Sequence, residues 1–104
     1  RRRELQFARD QITAAVQDAH SALQAARDQL SRTARNVELA VELEAAENTR
    51  FTQGATDLLA LQIREQATFD ARLLQLQAQT DFFRALANYR AAIAADAPTS
   101  TARP

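Results

Sequence analysis

Two long stretches of the chain repeat apolar residues every three or four positions, which is the spacing of an α-helix. In the first stretch, one stripe runs through Leu5, Ala8, Ile12, Val16, Ala19, Leu23, Ala26, Leu30, Ala34, Val37 and Val41. Gly54 is the one glycine, and no proline occurs before Pro98. The pattern predicts a helix over about residues 3–51, a turn over about 52–56 and a second helix over about 57–95.

The second stretch carries two apolar stripes on neighbouring faces. One consists of Leu59, Ile63, Ala67, Ala71, Leu74, Ala78, Phe82, Ala85, Tyr89 and Ala92, and the other of Leu58, Leu61, Phe69, Leu73, Leu76, Phe83 and Ala87. A simple two-stranded coiled coil needs one narrow seam, so a doubled seam predicts helical neighbours on two sides. Folding back at the glycine supplies one neighbour, with Val37 near Ala71 and Leu23 near Phe83 or Ala85. The other neighbour must come from further assembly.

The predicted length of the first helix favours an elongated all-α architecture. At ~1.5 Å per residue it is about 70 Å long, whereas a compact domain of this chain length is only ~25–30 Å across. We therefore expect a long antiparallel two-helix coiled-coil hairpin that packs into a larger helical bundle or α-barrel.

The residues around the glycine have the chemistry of a helix–turn–helix junction. Gly54 can adopt the left-handed conformation that ends a helix without steric strain. Thr56 and Asp57 follow it and offer side-chain oxygens to the free N–H groups of a new helix. We predict that Arg50, Phe51 and Asp57 shape and cap this turn.

Composition narrows the class of protein. Thirteen arginines balance thirteen acids and alternate with them, so the basic face of a nucleic-acid-binding protein is not expected. There is no cysteine, no signal peptide and no apolar run long enough for a membrane helix. The absence of Met predicts a fragment or processed product, and residues 96–104 read as a disordered C-terminal tail because Pro98 disfavours helix before it.

The sequence contains few residues or motifs that are typical of catalytic sites. His20 is the one histidine, and the Glu-x-x-His pairs of a di-metal bundle do not occur. No glycine-rich phosphate loop and no metal-spaced Cys/His set is present. We predict that the protein is not an enzyme and needs no metal or other cofactor.

Acidic residues cluster toward the hairpin end of the first predicted helix, at Glu38, Glu42, Glu44 and Glu47. They fit either a negative rim on an assembly of several copies or, more simply, a solvated face. Opposite charges at helical spacing, such as Glu47 and Arg50, likewise predict exposed surface.

The central residues resemble the outer membrane efflux protein family, the TolC-like channels. The resemblance covers about residues 5–95, and its specific part is the turn and the next two helical turns. It rests on Arg50, Phe51 and Gly54, on Asp57, on Leu58, Leu59 and Leu61, on Arg64 to Ala67, and on Ala71, Ala78 and Ala87 to Ala92.

The resemblance implies the periplasmic α-helical hairpin of an outer-membrane channel component in a tripartite efflux or type I secretion system. Family members are trimers that meet the membrane through β-barrel strands, which this stretch lacks, and a periplasmic adaptor (membrane fusion) protein docks at the hairpin tip. By position, the adaptor contacts would be Gln53, Gly54, Ala55 and Thr56. Ala60 to Ile63 lack the acidic residues that close some family channels, so no gating role is implied.

A second interpretation needs no family. The chain also fits a generic antiparallel coiled-coil interaction module that forms a homo-oligomeric four-helix bundle, because its seams need partners. The two interpretations differ on what lies upstream: a channel requires a signal sequence, amphipathic strands before residue 1 and an earlier copy of the Arg-Phe-x-x-Gly hairpin.

Overall fold

The structure, a computed structural model, describes residues 1–97 and contains two helices. Helix α1 spans Arg2–Thr52 and helix α2 spans Leu58–Asp96. The described chain is an all-α helical hairpin, as the apolar pattern predicts. The observed helix ends lie within one residue of the predicted ones.

The C-terminal end of α2 corrects one predicted boundary. Asp96, which we assigned to the tail, is the last residue of the helix, and the Ala97 N–H donates to the Ala94 carbonyl over 3.3 Å. Pro98 restricts the residue immediately before it, so its effect falls on Ala97 and the helix continues to Asp96. The rest of the predicted tail, residues 98–104, lies outside the described residues.

The chain forms two compact units, in each of which a segment of α1 packs against a segment of α2. The turn unit is Asp28–Thr80, and the terminal unit comprises Arg1–Arg27 and Asp81–Pro104, described as far as residue 97.

The terminal unit has an apolar seam. Its less exposed positions alternate at spacings of four and three, which is the heptad pattern of a coiled coil. They are Ile12, Val16, Ala19, Leu23 and Ala26 on α1, and Phe82, Ala85, Tyr89 and Ala92 on α2. The ring centroids of His20 and Tyr89 are 5.7 Å apart, so these two residues lie at the same height along the paired helices. Leu23 consequently lies near the level of Ala85, and both residues are buried.

The turn unit has the same spacing but a more polar seam. Its members are Leu30, Thr33, Val37, Ala40, Glu44 and Glu47 on α1, and Leu61, Arg64, Thr68, Ala71, Gln75 and Ala78 on α2. The Thr68 hydroxyl lies 3.1 Å from the Arg64 carbonyl oxygen of its own helix and 3.3 Å from the Ala40 carbonyl oxygen of α1, so it can donate to either of them. The contact with α1 places Thr68 opposite Ala40. Counting three residues along each helix from that contact places Val37 opposite Ala71, in agreement with the predicted pairing.

The predicted stripes and the observed seam differ near the turn. Val41, which we placed in the stripe of α1, is 38% exposed, and the adjacent Ala40 is in the seam. On α2, Leu59 and Ile63 are exposed, whereas Leu61 is buried. A search for apolar residues alone misses the seam here, because several of its positions are Thr, Glu, Arg or Gln.

Candidate functional site

Helix α1 ends in a Schellman motif centred on Gly54. The backbone of Gly54 has φ = 74°, which is the left-handed region. The Ala55 N–H donates to the Arg50 carbonyl over 2.8 Å, and the Gly54 N–H donates to the Phe51 carbonyl over 3.0 Å. These two bonds satisfy carbonyl groups that otherwise lack partners at a helix end. Glycine is needed here because other L-residues are strained at this φ.

Asp57 caps the start of α2. Its Oδ1 accepts a hydrogen bond of 2.9 Å from the N–H of Ala60, which is the third residue of the helix. An acceptor at the N-cap satisfies one of the free N–H groups of the first turn, and replacing such a residue by alanine typically costs ~1 kcal/mol. The two ends of the junction are therefore both hydrogen-bonded, by Gly54 on one side and Asp57 on the other.

Arg50 connects the turn to the last part of α1. Its Nη2 lies 3.5 Å from the Ala55 carbonyl oxygen, within reach to donate a long hydrogen bond, and its Nη1 lies 3.9 Å from Glu47 Oε1. The Arg50 side chain is 59% exposed, so each of these contacts contributes little stability by itself. Together they position the guanidinium over the turn backbone.

The tip of the turn is accessible to a partner. Gln53, Gly54 and Ala55 are exposed, and Thr56 is half-buried. No atom lies within 4 Å of the position that a Cβ on Gly54 would occupy, so open space surrounds the glycine. The turn therefore combines a hydrogen-bonded backbone with an exposed, sterically small apex.

Glu47 does not belong to a solvated face, contrary to the sequence-based interpretation. It is only 8% exposed, and its Oε2 has no hydrogen-bond partner. Counting seven residues from the Ala40–Thr68 contact places it opposite Leu61 in the seam. Glu44 is half-buried, whereas Glu38 and Glu42 are exposed. The heptad spacing of Ala40, Glu44 and Glu47 was the signal that could have revealed this burial.

An open groove lies on the turn unit beside this part of the seam. It has a volume of about 210 Å³ and is lined by Val41, Glu44, Ala45, Asn48, Leu61, Glu65 and Arg72. Its walls carry both signs of charge, and it is shallow enough to be open to solvent. Nothing in its lining has the geometry of a catalytic set.

The structure also shows the surroundings of His20 and bears on metal binding and membrane crossing. His20 is exposed and packs against Tyr89, as a surface aromatic pair would. Within residues 1–97, no group of three or more His, Asp or Glu residues is placed to hold a metal ion. In the same range, neither helix has a stretch apolar enough over the length needed to cross a bilayer.

Comparison with known proteins identifies no protein that is similar to this chain. No family model matches this chain, and searches of curated proteins and of solved structures find no match either. The functional argument therefore depends on the residues and the geometry described above.

Proposed function

We propose that this chain is the periplasmic helical hairpin of an outer-membrane channel component, and that its turn docks a periplasmic adaptor protein of a tripartite efflux or type I secretion system. The observation that carries the proposal is the turn itself: an exposed Gly54 at φ = 74°, in the Arg-Phe-x-x-Gly setting of the TolC-like channels. The role is passive, with no catalytic step and no cofactor.

The turn has physical properties that suit docking against another hairpin. Its backbone is ordered by the Schellman bonds and the Asp57 cap, so little conformational entropy is lost on binding. The absence of a side chain on Gly54 lets a partner approach the backbone closely. Gln53 and Thr56, on either side, offer polar groups for hydrogen bonds, and these four tip residues, Gln53 to Thr56, are the proposed contact set.

The outer surface of α2 is also consistent with a hairpin that has lateral neighbours. Phe69, Leu73 and Leu76 are exposed and recur at spacings of four and three. With ~100° per residue, this stripe is roughly 150° around the helix from the seam with α1. A helix with two stripes at such an angle fits into a gently curved layer of helices, as in the wall of a trimeric channel.

The parent gene offers the first test. The proposal expects it to encode a signal sequence, amphipathic strands before residue 1 and an earlier Arg-Phe-x-x-Gly hairpin. A parent gene with none of these features would rule the proposal out.

A substitution at the apex tests the docking role directly. In the full-length parent, Gly54→Val places a β-branched side chain at positive φ, which is strained by ~1–2 kcal/mol or more. We expect adaptor affinity, measured by surface plasmon resonance with the purified adaptor, to fall at least tenfold. Ser31→Val, on the exposed surface of α1, is the matched control and should bind normally. Normal adaptor binding by Gly54→Val would remove the turn from the site.

A second candidate function is a coiled-coil interaction module that forms a homo-oligomeric four-helix bundle. Nine large apolar residues of α2 are exposed: Leu58, Leu59, Ile63, Phe69, Leu73, Leu74, Leu76, Phe83 and Ile93. A helix with apolar residues on most of its faces is usually buried in a larger assembly. A chain that remains monomeric at every concentration in sedimentation equilibrium would contradict this candidate.

A further inference from the structure

The turn unit has an exposed apolar surface on one side of its seam. On α1, Leu39 is 56% and Leu43 is 39% exposed, and on α2, Ile63 is 59% and Leu74 is 53% exposed. With ~100° per residue, these four residues lie roughly 90–130° from the middle of the seam, in the same sense around each helix. Because the two segments are antiparallel, an equal rotation on both brings the four residues to one flat side of the turn unit. We call this surface the Leu43 face.

The residues along both edges of the Leu43 face have the spacing of positions that contact a further helix. Exposed residues recur there at intervals of three and four, which is the heptad pattern of a helix that meets a facing helix. They are Asn36, Leu39, Leu43, Ala46 and Arg50 on α1, and Ile63, Ala67, Asp70 and Leu74 on α2. Counting from the contact between Ala40 and Thr68, Leu43 and Ile63 differ in height by about two residues, or ~3 Å. A helix that lies between the two edges can therefore contact both.

Glu47 adds a charged group to this side of the seam. It is 8% exposed, its Oε1 lies 3.9 Å from Arg50 Nη1, and within the described residues its buried Oε2 has no hydrogen-bond partner. Arg50 lies on the α1 edge of the Leu43 face, so this contact shows that the Glu47 carboxylate is turned toward that face. A carboxylate has about four acceptor sites, and one long contact with a largely exposed guanidinium leaves most of them unused.

A cation on a docked helix would satisfy the Glu47 carboxylate. Burial of a poorly paired carboxylate costs stability in the isolated chain, so the fold alone gives no reason for an acid at this position. A charge-assisted hydrogen bond to a carboxylate is strong, and it is strengthened when the partner excludes water from it. Rotation of the carboxylate about its last torsion exchanges Oε1 and Oε2, so a cation that arrives beside Arg50 can bond to either oxygen.

The charge of the turn unit also favours a cationic partner. The unit contains eight Asp or Glu residues and five Arg, so it is acidic overall and attracts a basic helix. The open groove on the opposite side of the seam differs from the Leu43 face in this respect. Its lining includes Glu44, Glu65 and Arg72, all of them in contact with solvent, so water can solvate the charges there.

From these observations we infer that the Leu43 face is a docking surface for one amphipathic helix of a different protein. The apolar stripe of that helix covers the leucine and isoleucine side chains of the face, and one arginine or lysine pairs with Glu47. This inference does not rest on the adaptor-docking proposal, because it concerns a flat side of the turn unit and not the exposed tip. It also differs from the homo-oligomeric bundle, because the partner must supply a cation to Glu47.

A synthetic helix tests the charge requirement. The probe is a three-heptad peptide with leucine at its a and d positions, except for one central arginine, and its matched control carries neutral, isosteric citrulline instead. In fluorescence anisotropy, we expect the arginine peptide to bind the unmodified chain about tenfold more tightly than the citrulline peptide. Glu47→Gln should bind both peptides with affinities within about twofold of each other. Absence of binding, no preference for arginine, or a preference that persists in Glu47→Gln would overturn the inference.

A pair of matched polar substitutions locates the binding surface. Leu43→Gln and Val41→Gln replace apolar residues of nearly equal exposure, 39% and 38%, on opposite sides of the seam. We expect the first to weaken binding of the arginine peptide at least tenfold, because a leucine is buried on docking, and the second to change it by less than about twofold. Circular dichroism should show equal helix content in both variants. Equal or reversed effects on binding would place the peptide elsewhere and overturn the inference.

Sedimentation equilibrium of the chain without peptide distinguishes a different protein from a second copy. We expect Leu43→Gln to leave the oligomeric state of the unmodified chain unchanged, because the occupant of the Leu43 face is not this chain. Dimers of the unmodified chain that Leu43→Gln dissociates, while Val41→Gln does not, would show that a second copy covers the face. That result would overturn the inference.

Discussion

The seams of the two units differ in chemistry although they share one geometry. In the terminal unit, the buried positions are Leu23 and Ala85, and the surrounding seam is apolar or aromatic. In the turn unit, Leu61 and Ala78 are buried together with three polar residues, Thr33, Thr68 and Glu47. Spacing alone therefore does not tell which part of a coiled coil contributes most of the stability.

The polar residues of the turn unit act differently from one another. The Thr33 hydroxyl bonds within its own helix, to the Gln29 or Leu30 carbonyl. The Thr68 hydroxyl also has an acceptor in its own helix, the Arg64 carbonyl at 3.1 Å, and it has a second one across the seam, the Ala40 carbonyl at 3.3 Å. A cross-helix bond selects one register, because apolar side chains alone tolerate sliding more easily. Glu47 has no hydrogen bond across the seam: its Oε1 lies 3.9 Å from Arg50 Nη1 in the same helix, and its Oε2 is buried and unpaired. The turn unit thus gains a defined register at a cost in stability.

The largest expected effect comes from truncating the apolar seam. Leu23→Ala removes a side chain that is 6% exposed, and we expect it to lower the free energy of unfolding by about 2–4 kcal/mol. Leu61→Ala in the turn unit should cost less, about 1–2 kcal/mol, because water can fill a cavity beside the Glu47 carboxylate more easily than one lined by apolar groups. Urea denaturation followed by circular dichroism, at one fixed protein concentration, measures both values. Equal costs would show that the two seams are energetically alike.

Replacing Glu47 makes the turn unit more like the terminal unit. Glu47→Leu removes a buried carboxylate with an unpaired oxygen and places an apolar side chain opposite Leu61, so we expect a gain of about 1–2 kcal/mol in the free energy of unfolding. Glu42→Leu, on an exposed position of the same helix, is the control and should change stability by less than about 0.5 kcal/mol. A loss of stability in Glu47→Leu would mean that the ion pair with Arg50 contributes more stability than the burial of the carboxylate costs.

The smallest of these effects concerns the register contact. Thr68→Val keeps the shape of the side chain but removes the hydroxyl, and we expect a loss of about 1 kcal/mol. Thr80→Val serves as the control, because the exposed Thr80 hydroxyl bonds only to Leu76 in its own helix. Thermal melts give the stability, and amide hydrogen exchange around Ala40 and Thr68 shows whether the contact is loosened. Unchanged exchange there would exclude a role for Thr68 in register.

The turn was predictable from sequence because its conformation depends on short-range chemistry. Gly54 has a positive φ, which glycine adopts without strain because it has no Cβ. Asp57 precedes α2 and supplies an acceptor for one of the free N–H groups of the first turn. Burial of Glu47 was not predictable from residue type, since carboxylates are rarely buried unless paired. It follows from the register of the two helices, which places Glu47 opposite Leu61.

The sequence by itself determined the two helices, their ends to within one residue and the turn between them, because helix propensity, capping and glycine geometry act over only a few neighbouring residues. The tertiary structure alone decided which face of α2 meets α1. Helix α2 has apolar residues on most of its faces, so its own pattern permits several seams, and the choice depends on α1, whose single heptad stripe pairs with Leu61, Thr68, Ala78 and Ala85. That choice leaves Phe69, Leu73, Leu76 and Phe83 exposed, since a helix that packs on one side cannot cover its opposite side.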